Sequence, residues 1–271
     1  MNEKIKMFDF KANQKVDFLE IGQVIEKNGS VIIKNIISPE TVFELKSSLI
    51  SSIEEDEKKR GKDYIFYGMI HALMARNQSF LDLLTNSTIL SLVRAILGKG
   101  AIVHAYNSSS MPPAGSNFSR SIHVDCPRLI PNYISNMGIT IALDKFTNEN
   151  GAMEIISDSF HQEKAPSEAE FEQKMFKLNN LEAGDAIFFN ARCWHRGGIN
   201  TTNDWRHAVT INCCRAFMRQ QFDFPTMFSE EKSKEFSEDL KQFLGYFVRI
   251  PKSIEDFLLP ADKRLYKSGQ E

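Results

Sequence analysis

Apolar residues in the first hundred positions recur mainly every three or four residues, which is the spacing of one helix face. Ser38 followed by Pro39 is typical of a helix start, because serine caps free N–H groups and proline fits the first turn. A short β-branched run at 31–33 predicts a strand. The segments predicted to be helical are 19–28, the stretch from 39 into the charged run 54–62, 66–84 and 88–97.

The pattern changes at residue 101. Short strand-like runs then alternate with segments rich in Gly, Pro, Asn and Asp, such as NSSSMPPAGSN and TNENG. Many short strands at close spacing predict a β-barrel or jelly roll, and helical spacing returns at 229–247. The predicted strands are 101–106, 119–126, 137–146, 153–159, 186–190 and 205–217.

These elements predict a single domain over 1–271 that is mainly β with flanking helices. Its parts are a helical segment of about 1–100, a β core of about 101–220 and a C-terminal helical segment of about 226–271. The N-terminal helices are expected to buttress the β core. A chain of 271 residues can bury a large core without disulfides or a structural metal.

Charge and cysteine content narrow the range of functions. The 33 lysines and arginines nearly balance the 35 aspartates and glutamates, whereas binders of nucleic acids and membrane surfaces carry a clear basic excess. None of the four cysteines forms a CxxC pair, and no apolar run approaches the roughly 20 residues that span a bilayer. We therefore expect a reduced, cytoplasmic protein that acts on a small molecule, without nucleic-acid or membrane partners.

Candidate chemistry begins at His123 and Asp125. Alternate residues of a strand share a face, so this imidazole and this carboxylate could bind a divalent metal from one side. By itself a His-x-Asp is a weak signal, because a structural histidine and a surface aspartate give the same pattern. His195, just after the apolar run 186–190, supplies a second imidazole. Two histidines and one carboxylate make up the facial triad of non-haem Fe(II) oxygenases, which leaves metal positions open.

Arg206 opens the next predicted strand. If 190–195 and 205–217 pair as a hairpin, Arg206 lies near His195 and deeper in the barrel. A 2-oxo acid such as 2-oxoglutarate can chelate a metal, and its far carboxylate then needs a buried cation. Arginine suits this role because its planar fork binds a carboxylate through two hydrogen bonds. Thr210 and Asn212 alternate with Arg206 and are expected to face a polar cavity.

The motif His-Val-Asp at 123–125, with His195 and with Arg206 placed 11 residues beyond it, resembles the phytanoyl-CoA dioxygenase family of Fe(II)/2-oxoglutarate oxygenases. The segments GAMEIISDSFHQ and LEAGDAIFFNARCWHRGGIN are similar to that family too. The resemblance implies a double-stranded β-helix, which is a jelly-roll, cupin-like fold. It also implies Fe(II), 2-oxoglutarate and O₂ as cofactor and cosubstrates, with succinate and CO₂ released.

The resemblance also implies roles for individual residues. Members often have a polar residue that contacts 2-oxoglutarate on a strand or loop before the metal motif. Asn107 and Ser110 are the main candidates for this contact, and His104 is a secondary one. Members often have a serine two residues after the second histidine, where this chain has Gly197. The residues implied to bind metal are His123, Asp125 and His195, and together with Arg206, which anchors 2-oxoglutarate, they are the expected catalytic residues.

The function expected from these residues is hydroxylation of an unactivated C–H bond in a small polar metabolite or biosynthetic intermediate. Two alternatives remain. The same iron chemistry could cause desaturation or ring closure of a natural-product intermediate, or the barrel could bind a ligand without catalysis. The intact triad with its spaced arginine favours an enzyme over a binding protein.

Overall fold

A computed structural model of the protein describes residues 5–10 and 17–270, and the parts of the predicted segments at 1–4, 11–16 and 271 lie outside the described residues. Two sheets organise the described chain. The larger has the order β1-β2-β7-β4-β9-β3 and the smaller the order β6-β5-β8. The strands are β1 (Lys6–Asp9), β2 (Ser30–Lys34), β3 (Ile102–Ser108), β4 (Asn136–Ala142), β5 (Glu154–Ile155), β6 (Phe176–Lys177), β7 (Ala186–Asn190), β8 (His195–Arg196) and β9 (Ala208–Cys214).

Helices precede and follow the sheets. Short 3₁₀ turns at Leu73–Ala75, Phe118–Arg120, Ser157–His161, Phe224–Met227 and Ala261–Lys263 complete the regular structure of the described chain. No single helix in the part that the structure describes is long and apolar enough to cross a bilayer. The consecutive helices Gln78–Leu84 and Ser87–Leu97 reach that length and apolar character only when taken together, and they are bent by 48° at their junction. The helices are α1 (Phe18–Asn28), α2 (Pro39–Arg60), α3 (Gln78–Leu84), α4 (Ser87–Leu97), α5 (Glu168–Lys174), α6 (Glu230–Lys234), α7 (Glu238–Phe243) and α8 (Ile254–Phe257), the bent pair being α3 with α4.

Alternate residues of the large sheet face two different cores. Ile139, Phe188 and Ile211 pack into the core that α1 to α4 cover. Phe189, one residue on, faces the small sheet and packs in a second cluster with Ile155. The large sheet is therefore buried on both faces, with helices on one side and the small sheet on the other. This arrangement confirms the predicted β core buttressed by N-terminal helices.

The predicted ends of the first two helices are confirmed. Asp17 caps α1 by accepting hydrogen bonds from two backbone N–H groups, and Gly29 ends it in the left-handed conformation at φ 83°. A Cβ at Gly29 would lie only 1.8 Å from the carbonyl oxygen of Ser157, so a side chain there is excluded as well as strained. Ser38 caps α2 as predicted, and the apolar face of that helix is buried.

The predicted helix at 66–84 is wrong over its first half. Turns and irregular backbone precede the 3₁₀ turn at Leu73–Ala75, and α3 begins only after Asn77. The physical reason is hydrogen bonding to the end of β3. The N–H of Ser108 donates to the carbonyl of Ile70 at 2.9 Å, and that of Ser110 donates to Gly68. Backbone groups that pair with a strand are not available for a helical turn.

Other predicted segments also differ, and 153–159 holds only the two-residue strand β5 and part of a 3₁₀ turn. The run 119–126 is not a continuous strand, because a 3₁₀ turn at Phe118–Arg120 gives way to extended backbone that makes one isolated bridge. The segment 229–247 holds two short helices, α6 and α7, since Ser237 caps a new helix start. Its predicted apolar positions are nevertheless buried in the core: Phe236, Leu240, Phe243 and Leu244.

Candidate active site

A short backbone bridge brings the two candidate histidines together. The N–H of His123 donates to the carbonyl of His195 at 3.0 Å, and the N–H of His195 donates back to His123 at 3.0 Å. Asp125 is fixed nearby, because its N–H donates to the carbonyl of Ala191 at 2.9 Å. Segments that are far apart in sequence are thus joined through their backbones, and three side chains with metal-binding atoms project from this junction.

The three side chains offer a compact set of donor atoms. One ligand atom from each of His123, Asp125 and His195 lies within 4.8 Å of the other two. The Asp125 Oδ1 atom is 3.6 Å from Nε2 of His123 and 3.7 Å from Nε2 of His195. Two imidazoles and a carboxylate at these separations can surround one divalent ion on one face, which is the donor set of non-haem Fe(II) sites. The residues therefore fit the predicted metal.

Each donor is oriented by a second contact. The Nδ1 of His123 lies 2.7 Å from the carbonyl of Ser121, and the Nδ1 of His195 lies 3.0 Å from the carbonyl of Cys193. A carbonyl can only accept, so both Nδ1 atoms carry the proton and both Nε2 atoms are free to bind metal. Asn212 donates to Oδ2 of Asp125 at 3.1 Å, which leaves Oδ1 to face the histidines.

Burial and neighbouring charges shift the pKa values of the three donor groups in different directions. Burial and the charge of His123 lower the pKa of His195 to about 4, so this imidazole is neutral at neutral pH. Burial alone would raise the pKa of Asp125, but the charge of His195 and hydrogen bonds from His123 and Asn212 lower it. Burial alone would lower the pKa of His123, but the neighbouring Asp125 carboxylate raises it. Metal binding would displace that proton, so affinity should fall in acid.

Arg206 is a buried cation that makes no ion pair within the described part of the chain. Its side chain is among the largest fully buried ones, and its guanidinium stacks over the ring of Phe146 at 4.4 Å. It donates to the carbonyls of Ser109 at 2.7 Å and Gly151 at 2.8 Å, while its Nε has no partner. No carboxylate of the described residues forms an ion pair with it, and burial lowers its pKa to about 9. A bound carboxylate would satisfy this orphaned Nε donor and supply the missing counter-charge.

One cavity of about 240 Å³ contains the triad and Arg206 together. Thr210 and Asn212 also line it, as their alternation on β9 predicted. The predicted hairpin between 190–195 and 205–217 is wrong, however. β8 pairs with β5 in the small sheet, and β9 lies between β4 and β3 in the large one. The side chains meet because the two sheets face each other across the cavity.

The remaining candidates separate into two groups. Asn107 and His104 line the cavity, and the Oδ1 of Asn107 accepts from the N–H of Ala72 at 3.3 Å. Ser110 is buried outside the cavity lining, with its Oγ 3.1 Å from Nδ1 of His207. The geometry thus keeps Asn107 as a candidate contact for 2-oxoglutarate and directs the Ser110 hydroxyl to another partner.

The glycine that departs from the family pattern is packed closely. A Cβ on Gly197 would lie 2.3 Å from Cε of Met111 and 2.4 Å from Oγ of Ser119. Ser119 itself lines the cavity at this point. A serine at 197 would therefore require both neighbours to move, and the Ser119 hydroxyl occupies the adjacent wall instead.

Sequence reasoning missed the surroundings of Arg196, which follows the second histidine. Arg196 is buried and lines the cavity, and its guanidinium donates to Glu154 at 2.6 Å and also to Glu168 and Glu172. Glu154 pairs with Arg196 directly across the strands β5 and β8. Glu168 and Glu172 are four residues apart, a spacing that predicts one face of a helix. The sequence does not show, however, that Arg196 is their common partner.

Comparisons with known proteins identify related sequences. The sequence profile of the family described as phytanoyl-CoA dioxygenase (PhyH) matches residues 25–208. The uncharacterized protein Mb1539 of Mycobacterium bovis is 26% identical over 234 residues, which is 84% of this chain and 84% of that protein. Dioxygenase ALT11 of Alternaria alternata is 24% identical over 255 residues, which is 86% of this chain and 83% of its own.

Two solved structures show the same fold. EvdMO1 superposes with a TM-score of 0.58 at 20% identity, covering 72% of this chain and about half, 49%, of its own length. AviO1 from Streptomyces viridochromogenes Tue57 superposes with a TM-score of 0.58 at 16% identity, covering 74% of this chain and 96% of its own. They confirm the predicted cupin-like fold, and relatives named dioxygenases support an oxygenase. Because the family profile spans most of the described residues, this chain belongs to the phytanoyl-CoA dioxygenase family.

Proposed function

We propose that this protein is a non-haem Fe(II)/2-oxoglutarate-dependent dioxygenase that hydroxylates an unactivated C–H bond of a small polar metabolite or biosynthetic intermediate. One observation carries the proposal. The cavity that is lined by the His123, Asp125 and His195 donor set is also lined by Arg206, a buried cation whose Nε donor is unsatisfied. A metal site alone fits many functions, but a metal site with a buried arginine free to bind a carboxylate fits a chelating dicarboxylate.

The roles of the chain's own residues follow from their contacts. His123, Asp125 and His195 would hold Fe(II), with Nε2, Oδ1 and Nε2 as ligand atoms. Arg206 would bind the far carboxylate of 2-oxoglutarate, and Asn107 would offer a polar contact on the neighbouring strand. Fe(II) with 2-oxoglutarate and O₂ supplies the oxidising chemistry, which releases succinate and CO₂. The protein's own contribution is to position the substrate C–H bond and to exclude other reductants.

Desaturation or ring closure is the second candidate. The same donor set supports either outcome, and the position of the substrate bonds relative to the metal decides between them. Mass spectrometry separates the possibilities, because hydroxylation adds one oxygen atom to the substrate whereas desaturation and ring closure each remove two hydrogen atoms.

The test begins with the protein purified without oxygen. Addition of Fe(II) and then 2-oxoglutarate should produce a visible charge-transfer absorption with about one iron per chain. His195→Ala and His123→Ala should abolish both the absorption and succinate release, because two protein ligands hold a labile ion poorly. His161→Ala, at an exposed histidine, is the matched control and should behave as the wild type. Absence of the absorption from the wild type, or succinate release unchanged in the ligand variants, would refute the proposal.

A further inference from the structure

A β-bulge on β3 changes the direction of one side chain. Ile102 pairs with Cys214 and Val103 pairs with Cys213, but Ala105 pairs with Asn212. His104 is therefore the extra residue, placed between two consecutive pairs of the ladder with no partner on β9. Bulges recur beside active sites because they turn a side chain onto a face that regular alternation would deny it.

The bulge places His104 on the cavity side of the sheet. Val103 and Tyr106 belong to the apolar core under the helices. His104, Ala105 and Asn107 line the cavity instead. In an unbroken strand His104 and Ala105 would point to opposite faces, so only the extra residue lets both face the cavity.

The register of β3 and β9 also shows where His104 lies along the cavity. Ala105 is opposite Asn212, whose side chain donates to Asp125 of the triad. The Ala105–Asn212 pair therefore lies level with the candidate metal site along the strands, a position called the metal level below. Arg206 bridges to Met111, beyond the far end of β3. His104 thus lies on the other side of the metal level from Arg206. Of the two directions away from the metal, 2-oxoglutarate would extend toward Arg206, and the His104 side is left for the substrate.

Hydrogen bonds define what His104 offers there. Its Nδ1 lies 2.7 Å from the carbonyl of Arg219 and must therefore carry the proton when the imidazole is neutral. Its Nε2 is then an acceptor, and it has no partner among the described residues. The N–H of Gln221 donates to the carbonyl of His104 at 2.8 Å, which holds Gln221 at the same end of the cavity.

The charged residues that line the cavity already have roles. Asp125 belongs to the triad, Arg196 is neutralised by three glutamates, and Arg206 faces the cosubstrate end. Ala105 and Gln221, which lie beside His104 on the cavity wall, are both uncharged. This composition favours a neutral group over an ionic one.

We infer that His104 is a specificity-determining residue whose Nε2 accepts a hydrogen bond from a hydroxyl or N–H group of an uncharged substrate. The inference rests on the proposed function, because it identifies the substrate end of the same cavity. His104 acts on the substrate directly, and Gln221 supplies a neighbouring amide.

Matched neutral probes test this role without the native substrate. Ethylene glycol is compared with its dimethyl ether, and acetamide with N,N-dimethylacetamide, by saturation-transfer NMR on protein with Zn(II) and 2-oxoglutarate. The wild type should bind each donor-bearing probe about tenfold more tightly than its methylated partner, the size expected for one hydrogen bond. His104→Phe should bring each pair within twofold, whereas His104→Gln should retain the preference through its Oε1 acceptor.

Replacing Zn(II) with Mn(II) should broaden the resonances of the bound probes, which places them beside the metal. Equal binding within the pairs by the wild type, absence of binding by every probe, or a preference kept in His104→Phe would overturn the inference. The absorption of the Fe(II) and 2-oxoglutarate complex tests the proposed function separately. Loss of that absorption with probe selectivity intact would refute the oxygenase and leave the His104 site standing.

Discussion

Two buried arginines on the wall of one cavity differ in almost every electrostatic respect. Arg196 and Arg206 are each only 2% exposed. Burial alone would lower the pKa of Arg196, but hydrogen bonds with three glutamates raise it. Among the described residues Arg206 contacts backbone carbonyls and an aromatic ring and pairs with no carboxylate. Burial lowers its pKa to about 9, although the charge of Asp144 opposes that shift. Burial therefore does not distinguish the two arginines; the presence or absence of paired carboxylates does.

The largest expected effect comes from removing the paired arginine. Arg196→Met leaves Glu154, which is 5% exposed, without its closest cation, so the free energy of unfolding should fall by about 3–5 kcal/mol. Denaturant unfolding of the metal-free protein measures this change. Lys177→Met removes a partly exposed cation from the same carboxylate and should cost less than about 1 kcal/mol. Similar losses in both variants would show that Arg196 is not the main partner of Glu154.

Removing the unpaired arginine should affect ligand binding more than folding. Arg206→Met should weaken 2-oxoglutarate binding at least about a hundredfold, because a buried carboxylate would lose its partner. Iron binding should be largely retained, since Arg206 is not among the metal-binding groups. Without 2-oxoglutarate the variant should be as stable as the wild type or more stable, because no buried anion is orphaned. Titration at constant Fe(II) checks the first expectation, and an unchanged affinity would place the far carboxylate elsewhere.

A smaller effect concerns His207, next to Arg206. Burial, with lesser contributions from the charges of Lys46 and Arg206, lowers its pKa to about 4, below the roughly 6.5 of an unfolded histidine. As the pH falls, His207 is protonated in the unfolded chain before it is protonated in the folded one. The stability that the folded protein gains from neutral His207 is therefore complete above about pH 6.5 and is lost as pH falls toward 4. The slope is at most about 1.4 kcal/mol per pH unit. His207→Phe should flatten the dependence of metal-free stability on pH by that amount, and parallel curves would contradict the assignment.

Much of the candidate site could be predicted because its chemistry is local. His123 and Asp125 are two residues apart, and the donor type of each residue is fixed by its identity. The roles of these residues and of Arg206 stay predictions, although the structure brings them into one cavity. The proximity of Arg206 to the triad could not be predicted from a hairpin, because β8 and β9 belong to two different sheets that face each other.

The features that sequence reasoning missed depend on long-range pairing. The bulge at His104 is defined by how β3 pairs with β9, and no residue type within β3 predicts it. The irregular segment before α3 has helical spacing, but its backbone groups bond to residues some 40 positions away. Arg196 could be expected to need counter-ions, yet which glutamates reach it follows from the fold of β5 and α5.

The backbone bridge between His123 and His195 has a consequence for assembly of the metal centre. The two residues are 72 positions apart, so a metal held by both would close a loop of that length. In an unfolded chain, closing such a loop costs about 4 kcal/mol of conformational entropy. In the folded chain the paired backbones close this loop through their own hydrogen bonds. The ion would then act as a reversible cross-link between two segments that the backbone already joins. Tight metal binding would therefore indicate that the two parts of the β core are correctly paired.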